Sequence, residues 1–468
     1  MSVSFAVSKE SSYESSLIFR DAASIARYLQ FKIAEIDELM NEQVNKILHH
    51  SRFQTLESSW RGLYFLVAGI ENPKVTKIRL LDVSWKDLAK DIERSPDFDQ
   101  SGLFHLVYNQ EFGTPGGEPF SVLLGDYYVA HKPNSVDAVD DVYTLQGISR
   151  AAAAAFCPFV CGVSPLLLGL DSFDNIGLHT NIEEVFKSKE YIRWNALRDQ
   201  EDARFLTLTL PQVLMRAPHQ AEEMPFLGFI FNENVASNDN QNYLWGNSCF
   251  ALGTILIREF TNVGWFSHIR GVPRDLIGGG LVTSFPSIPY GSSHNSGSKI
   301  STSVVITDPF ETHLSDYGLM ALCHGFQTPF SVFNNSPSLQ RPKKYKEKSA
   351  TANAKIGSSL QQILCGSRVA QYIKVIVRDM VGTYSTAASC ERYLQSWLDQ
   401  YTSGRDDLGW EMMARYPLRE ARVRIHEEVG SPGKYSSIIH LKTHYSADNL
   451  VSELRLTTSL SQIDIGRI

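Results

Sequence analysis

Between residues 75 and 330 short apolar runs alternate with segments of helical period, and this alternation restricts the chain to an α/β architecture, a sheet covered by helices. The runs VTKIRLLDV (75–83), PFSVLLGDYYV (119–129), RFLTLTL (204–210) and PFLGFIF (225–231) are short and largely apolar, as expected of strands with little solvent-facing surface. Helices are expected between them over about 140–156 and 247–260. The Gly/Pro/Ser-rich stretches 271–298 and 327–358 read as long loops. The segment 151–170 has no charged residue and could cross a bilayer by length alone, but Pro158 and Pro165 interrupt it. It reads as a buried helix-turn-strand, and no membrane span is expected.

Outside this region the period changes twice. Ile33, Ile36, Leu39, Met40, Val44, Ile47 and Leu48 recur at threes and fours, so an amphipathic helix is expected over 33–48. A second apolar helix, FQTLESSWRGLYFLV, follows, whereas the first thirty residues are Ser-rich and expected to be mobile or ordered only by a partner. Two further helices are expected over 359–380 and 388–401. Near the C-terminus, Ile439, Leu441, Thr443 and Tyr445 alternate with Ile438, His440, Lys442 and His444. Leu454, Leu456, Thr458 and Leu460 do the same across a Ser-Ala-Asp-Asn turn, which predicts a β-hairpin with an edge open to another chain.

Chemistry is sparse. The chain of 468 residues has a formal net charge of -7, which argues against bulk attraction to nucleic acid or to an anionic membrane. Its six cysteines are scattered and its start lacks a secretory pattern, so a reducing cytoplasm is expected. Gly113, Gly116 and Gly117, and the run Gly278-Gly279-Gly280, lack the setting and the lysine of a phosphate cradle and read as turn glycines. Cys323-His324 could form a nucleophile pair, but neighbours on a strand face opposite ways. His49-His50 diverge on a helix, and Cys157 and Cys161 are separated by Pro158, so no metal and no cofactor is expected. The basic run through Lys343, Lys344 and Lys346 is either a solvated loop or a contact for an acidic protein surface.

Several segments, read in order, resemble the large subunit of the type VI secretion contractile sheath, the TssC/VipB family. They include Phe53-Gln54-x-Leu56-Glu57-x-Ser59-Trp60-Arg61-Gly62-Leu63, Glu111-Phe112-Gly113-x-Pro115-Gly116-Gly117, Leu244-Trp245-Gly246-Asn247, Ile269-Arg270-Gly271, Leu322-Cys323-His324 and Lys343-Lys344-Tyr345, and the similarity spans roughly 35–460.

The resemblance implies a phage-tail-sheath-like α/β fold of mixed sheets with flanking helices. It implies an N-terminal helical arm (1–55), a central domain (56–330) and a tube-facing C-terminal domain with the hairpin (331–468). It also implies a non-enzymatic cytoplasmic protein that pairs with a small sheath subunit (TssB/VipA-like) and with copies of itself around an inner tube (Hcp-like) above a baseplate. Ile439, Leu441, Tyr445, Leu454, Leu456 and Leu460 would then lie on inter-subunit strands. Ile36, Ile47, Leu48, Trp60, Arg61 and Leu63 would pack on the small subunit, and Lys343, Lys344 and Lys346 would meet the tube or a loop.

Family members commonly carry a longer N-terminal arm with a helix recognised by the disassembly ATPase ClpV. Here Leu17-Ile18-Phe19 with Ile25 and Leu29 is the nearest pattern, and recognition by the ATPase stays open. A non-contractile or accessory sheath paralogue, a plain α/β scaffold and a Cys323-dependent hydrolase are the other readings.

Overall fold

A computed structural model describes residues 22–460 apart from 115, 134–138, 177–180, 221–228, 230, 236–239, 241, 274–276, 287, 290–297, 326–327, 380–386, 406–407, 428–434 and 448–449. The chain divides into two units, one of residues 1–54 with 218–243 and one of 55–217 with 244–468.

In the first unit helix α1 (Ala22–Leu48) buries none of its residues. It starts eleven residues before the expected position, because Ala22, Ala23 and Ala26 are good helix formers although they add little to the apolar pattern. Two of its polar side chains, with His49 just past its end, are spaced four apart and hold the stretch 232–234. Asn41 Oδ1 accepts from the Asn232 N–H (3.2 Å), Asn45 Oδ1 from the Asn234 N–H (2.8 Å), and His49 Nε2 lies 3.3 Å from the buried Glu233 carboxylate. Residues 1–19, including the ATPase-recognition pattern at 17–19, and most of 225–231 lie outside the described residues.

In the second unit α2 (Ser51–Ala68), α3 (Trp85–Arg94), α4 (Asp141–Ala155), α5 (Cys249–Val263) and α6 (Asp308–Asp316) are arranged about a mixed sheet. Its strands are β1 (Leu123–Val129), β2 (Phe159–Val163), β3 (Leu206–Leu210), β4 (Leu281–Val282), β5 (Leu319–His324) and β6 (Ser331–Phe333). The order is β1-β2-β3-β5-β6-β4, parallel from β1 to β5 and antiparallel beyond. Strands β2 and β3 are buried along their whole length, which is why they read as unbroken apolar runs rather than alternating ones.

Local chemistry sets the boundaries of these elements. Asp140 caps α4 through the Tyr143 N–H, and Phe156 ends it at φ 50°, so the charge-free stretch does fold as helix, turn and strand. Asp141 then accepts from Trp85 Nε1 (2.8 Å) and from the Ala130 N–H (2.8 Å), tying α3 and the end of β1 to α4. One cluster about Leu145, Ile148, Trp194 and Leu208, and another about Phe250, Ile255, Met320 and Leu322, fill the two sides of the sheet. Burying each such side chain is worth about 1.5–3 kcal/mol.

Three expectations are corrected. VTKIRLLDV begins in a turn closed on the Asn72 carbonyl, and its remainder, 77–83, is extended but joins no ladder, because side chains rather than neighbouring strands hold it. The stretch 327–358 is not all loop: it contains β6 and α7 (Lys348–Gly357), whose Ala-rich sequence offsets the Ser and Gly around it. The C-terminal hairpin is part of a three-stranded antiparallel sheet, β7 (Leu418–Glu427), β8 (Tyr435–Ala447) and β9 (Leu450–Leu460).

Helices α8 (Leu360–Asp379), α9 (Ala387–Asp399) and α10 (Trp410–Arg415) complete the C-terminal region. A stripe on α8 fastens it to the preceding residues. Gln371 Nε2 donates to the carbonyls of Phe120 (2.7 Å), Phe156 (2.8 Å) and Ala155 (3.2 Å). Arg378 Nη1 donates to the carbonyls of Glu111 (3.0 Å) and Thr114 (3.2 Å). Between them the Lys374 ammonium sits 5.0, 5.2 and 4.8 Å from the ring centres of Tyr108, Phe112 and Phe156.

Candidate assembly surfaces

Helix α2 is two-faced. Ser58, Gly62 and Leu66 are buried, and Gly62 lets the helix approach α5 so closely that a Cβ there would lie 2.3 Å from the Phe250 ring. On the opposite face Leu56, Trp60, Tyr64 and Val67 follow at steps of four, four and three, and Trp60 and Tyr64 are 61% and 66% exposed. Large aromatic side chains left outward on a rigid helix are typical anchors of protein interfaces. Leu63 is half-buried beside this ridge.

Arg61 lies in an ionic cluster rather than free on that face. Glu57 accepts from Arg61 Nε and from the buried Arg216 Nε, each at 2.7 Å. Burial opposes ionisation of Glu57, but the two guanidinium groups outweigh it and hold the carboxyl below its usual range. On α1 the side chains of Ile36 and Ile47 are exposed and Leu48 is half-buried.

The C-terminal sheet places its predicted residues in two ways. Ile439 and Leu441 are fully buried and pack with Val369, Ile373, Leu394 and Leu398, so their side chains are committed to this chain's own core. For Tyr445, Leu454, Leu456 and Leu460 the structure gives strand positions. Leu441 is opposite Leu454, Ile439 opposite Leu456 and Tyr435 opposite Leu460, with Tyr445 inside the irregularity between Lys442 and Ser446. Strand β8 lies between β7 and β9, so β9 has one edge without a partner among the described residues.

Reading the sequence missed β7, although Leu418, Ala421, Val423 and Ile425 turn inward while Arg422 and Arg424 face solvent. A bulge between Leu418 and Glu420 shifts the alternation at its start and blurs the period-two signal.

The basic run is exposed. Lys343 reaches Glu201 at 3.5 Å, and Lys344 and Lys346 are in solvent. The best nucleophile candidate is disarmed by its place in the sheet: Cys323 is buried on β5 and its thiol is pushed up to about 12, first by burial and then by the charges of Glu311 and Asp308. His324 contacts Ser331 Oγ at 3.4 Å. Gly280 donates its N–H to the Gly271 carbonyl and Arg258 donates to the carbonyls of Gly279 and Leu281, so the glycine triplet is a bonded turn. Among the described residues no group of three His, Cys, Asp or Glu could hold a metal, and no helix is long and apolar enough to cross a membrane.

Helix faces and a sheet edge turned outward around well-filled cores are those of a protein that assembles with others, and comparison with known proteins supplies the class, that of tail-sheath proteins. Residues 30–340 match the VipB family model described as EvpB/VC_A0108, tail sheath N-terminal domain, and residues 349–460 match the companion tail sheath gpW/gp25-like domain. The type VI secretion system sheath protein TssC1 of Pseudomonas aeruginosa is 35% identical over 451 residues, covering 96% of this chain and 88% of that protein. A chain from the cryo-EM structure of the anti-feeding prophage baseplate overlaps 66% of this chain and 64% of its own length, at 10% identity and a TM-score of 0.34. The chain belongs to the VipB/TssC family, the large sheath subunits of type VI secretion systems.

Proposed function

We propose that the chain is a structural, non-catalytic subunit of a cytoplasmic contractile sheath with a phage-tail-sheath-like fold. It pairs with a small sheath subunit, and the pairs stack head to tail in a helix around an inner tube above a baseplate. Contraction of that lattice drives the tube outward. The observation that carries this reading is kinship with a sheath protein over 96% of the chain, a span that takes in arm, central domain and C-terminal strands alike.

The surfaces support particular roles. The apolar side chains on α1 and the Trp60 ridge of α2 suit packing against the small subunit, with residues 1–55 as an arm and 56–330 as the central domain. The C-terminal region, 331–468, faces the tube. There the open edge of β9 suits strand addition to or from a neighbouring pair, and the exposed lysines at 343, 344 and 346 suit an acidic surface. Contacts that do not close on themselves propagate as a filament.

Co-expression with the neighbouring small-subunit gene, followed by electron microscopy of the high-speed pellet, tests the proposal. Hollow tubules of cogwheel cross-section are expected; absence of any interaction between the two chains would refute it.

A further inference from the structure

Residues 77–83 run extended within the second unit, and no sheet takes them up. Among the described residues none of their N–H groups donates a hydrogen bond, and of their carbonyls one accepts, that of Val83 from the Tyr127 hydroxyl at 2.7 Å. The segment is nevertheless held in place. Lys77 bonds Glu118 at 2.6 Å, Arg79 bonds Glu111, Ile78 packs on the cluster about Phe250, and Val83 packs on the cluster about Leu145. Leu80 and Leu81 stand in solvent at 70% and 54% exposure. A strand-forming sequence, held extended by its side chains with its main chain unbonded, lacks a neighbouring strand.

We propose that residues 77–82 are the docking edge for a β-strand of the small sheath subunit, which joins them through main-chain hydrogen bonds and covers Leu80 and Leu81. The inference rests on the pairing proposed above. Unbonded donors and acceptors repeating along an extended backbone select an extended occupant; a helix satisfies its own main chain, and a lipid surface offers none. Two such segments paired with each other would form an isologous dimer, which closes and cannot propagate head to tail. That argument favours the small subunit over the same segment of a second copy. Because the flanking side chains already hold the edge straight, little ordering entropy remains to oppose docking.

Amide hydrogen exchange on the free chain and on the co-purified heterodimer reads the edge directly. In the free chain the amides of 77–82 should exchange as exposed backbone, and in the heterodimer some should slow by at least about 100-fold. Unchanged exchange in the heterodimer overturns the inference. So does protection already present in the free chain or in a homo-oligomer, since the occupant would then be this chain itself.

Leu80→Pro and Leu81→Pro give a second readout. Each removes an N–H the chain does not use, so the melting temperature of the free chain should hold. Successive N–H groups point to opposite edges, so at least one of the two variants should lose small-subunit co-purification by tenfold or more. Wild-type recovery from both overturns the docking edge while leaving the pairing intact; a wild-type chain that captures no small subunit overturns both.

Discussion

At Gly62 a single missing methyl group decides how α2 meets α5. With the Phe250 ring 2.3 Å from where a Cβ would lie, Gly62→Ala must push the helix outward or turn the ring, an overpacking cost of about 1–3 kcal/mol. Urea denaturation should show that loss as a lower midpoint at unchanged slope.

A second residue-scale expectation concerns Glu259, buried on α5, whose carboxylate accepts the His268 N–H at 2.8 Å. Burial pushes its carboxyl up to about 7, against that hydrogen bond and the charge of Arg258. Because the folded pKa lies above the unfolded 4.5, the fold binds the proton more tightly. Stability should therefore be highest with Glu259 protonated and should fall as pH rises from about 4.5 to about 7. His268, stacked on Trp410 at 3.6 Å, acts in the opposite sense, since burial holds its imidazole down to about 4. Its share of stability is lost as pH falls from 6.5 towards 4. The two windows overlap between about 4.5 and 6.5 and oppose each other there, so Glu259→Gln should give a thermal-shift profile that rises with pH across that range, where the unaltered chain is flatter. The Cys323 thiol, buried and raised, should resist a thiol reagent until the chain unfolds, and Cys323→Ser should leave assembly intact.

Among the elements, β9 allows the most direct intervention on polymerisation. Ile439 and Leu441 are buttressed from within by α8 and α9, and β7 pairs β8 on its other side, so a chain lacking 446–468 retains most of this region's core. That deletion should abolish pelletable tubules while the heterodimer still co-purifies; tubules that survive it would remove β9 from the connector role.

The legibility of the fold follows the same logic. Helices α4, α5, α8 and α9 and strands β1 and β3 could be read from the sequence because each buries one continuous face or its whole length. Strand β6 is three residues long inside a polar stretch, too short for any period to register. The segment 75–83 has strand composition, but pairing is a property of neighbours, and no described strand pairs with it. At the candidate surfaces, Trp60 was legible as part of an apolar helix, whereas the Arg61–Glu57–Arg216 cluster joins residues 159 apart and leaves no local trace.

At the scale of the whole molecule, the α8 stripe is what ties the C-terminal region to the rest of the second unit. The family-model boundary falls between 340 and 349, yet Gln371, Lys374 and Arg378 on the far side grip main-chain carbonyls and rings between 108 and 156. The three contacts differ in physical kind and so in expected effect. Arg378 donates to the Glu111 carbonyl and to the Thr114 carbonyl, which also accepts the Gly117 N–H, so Arg378→Ala removes the charged partner of both and should cost about 1–3 kcal/mol. Lys374 is different: burial drives its ammonium down to about 8, below the ordinary 10.5, so its charge opposes folding near neutral pH. A folded pKa below the unfolded one means this penalty is present below pH 8 and relieved as pH rises towards 10.5. Lys374→Met fills the same aromatic box without the charge and should hold or raise stability at pH 7, with the gain shrinking at pH 9. Calorimetry on the free chain separates the cases: Arg378→Ala should lower or split the transition, as the C-terminal region loses its hold on the rest, while Lys374→Met should keep one transition at an equal or higher temperature. A stability loss on Lys374→Met would mean that the three rings stabilise the cation by more than its burial costs.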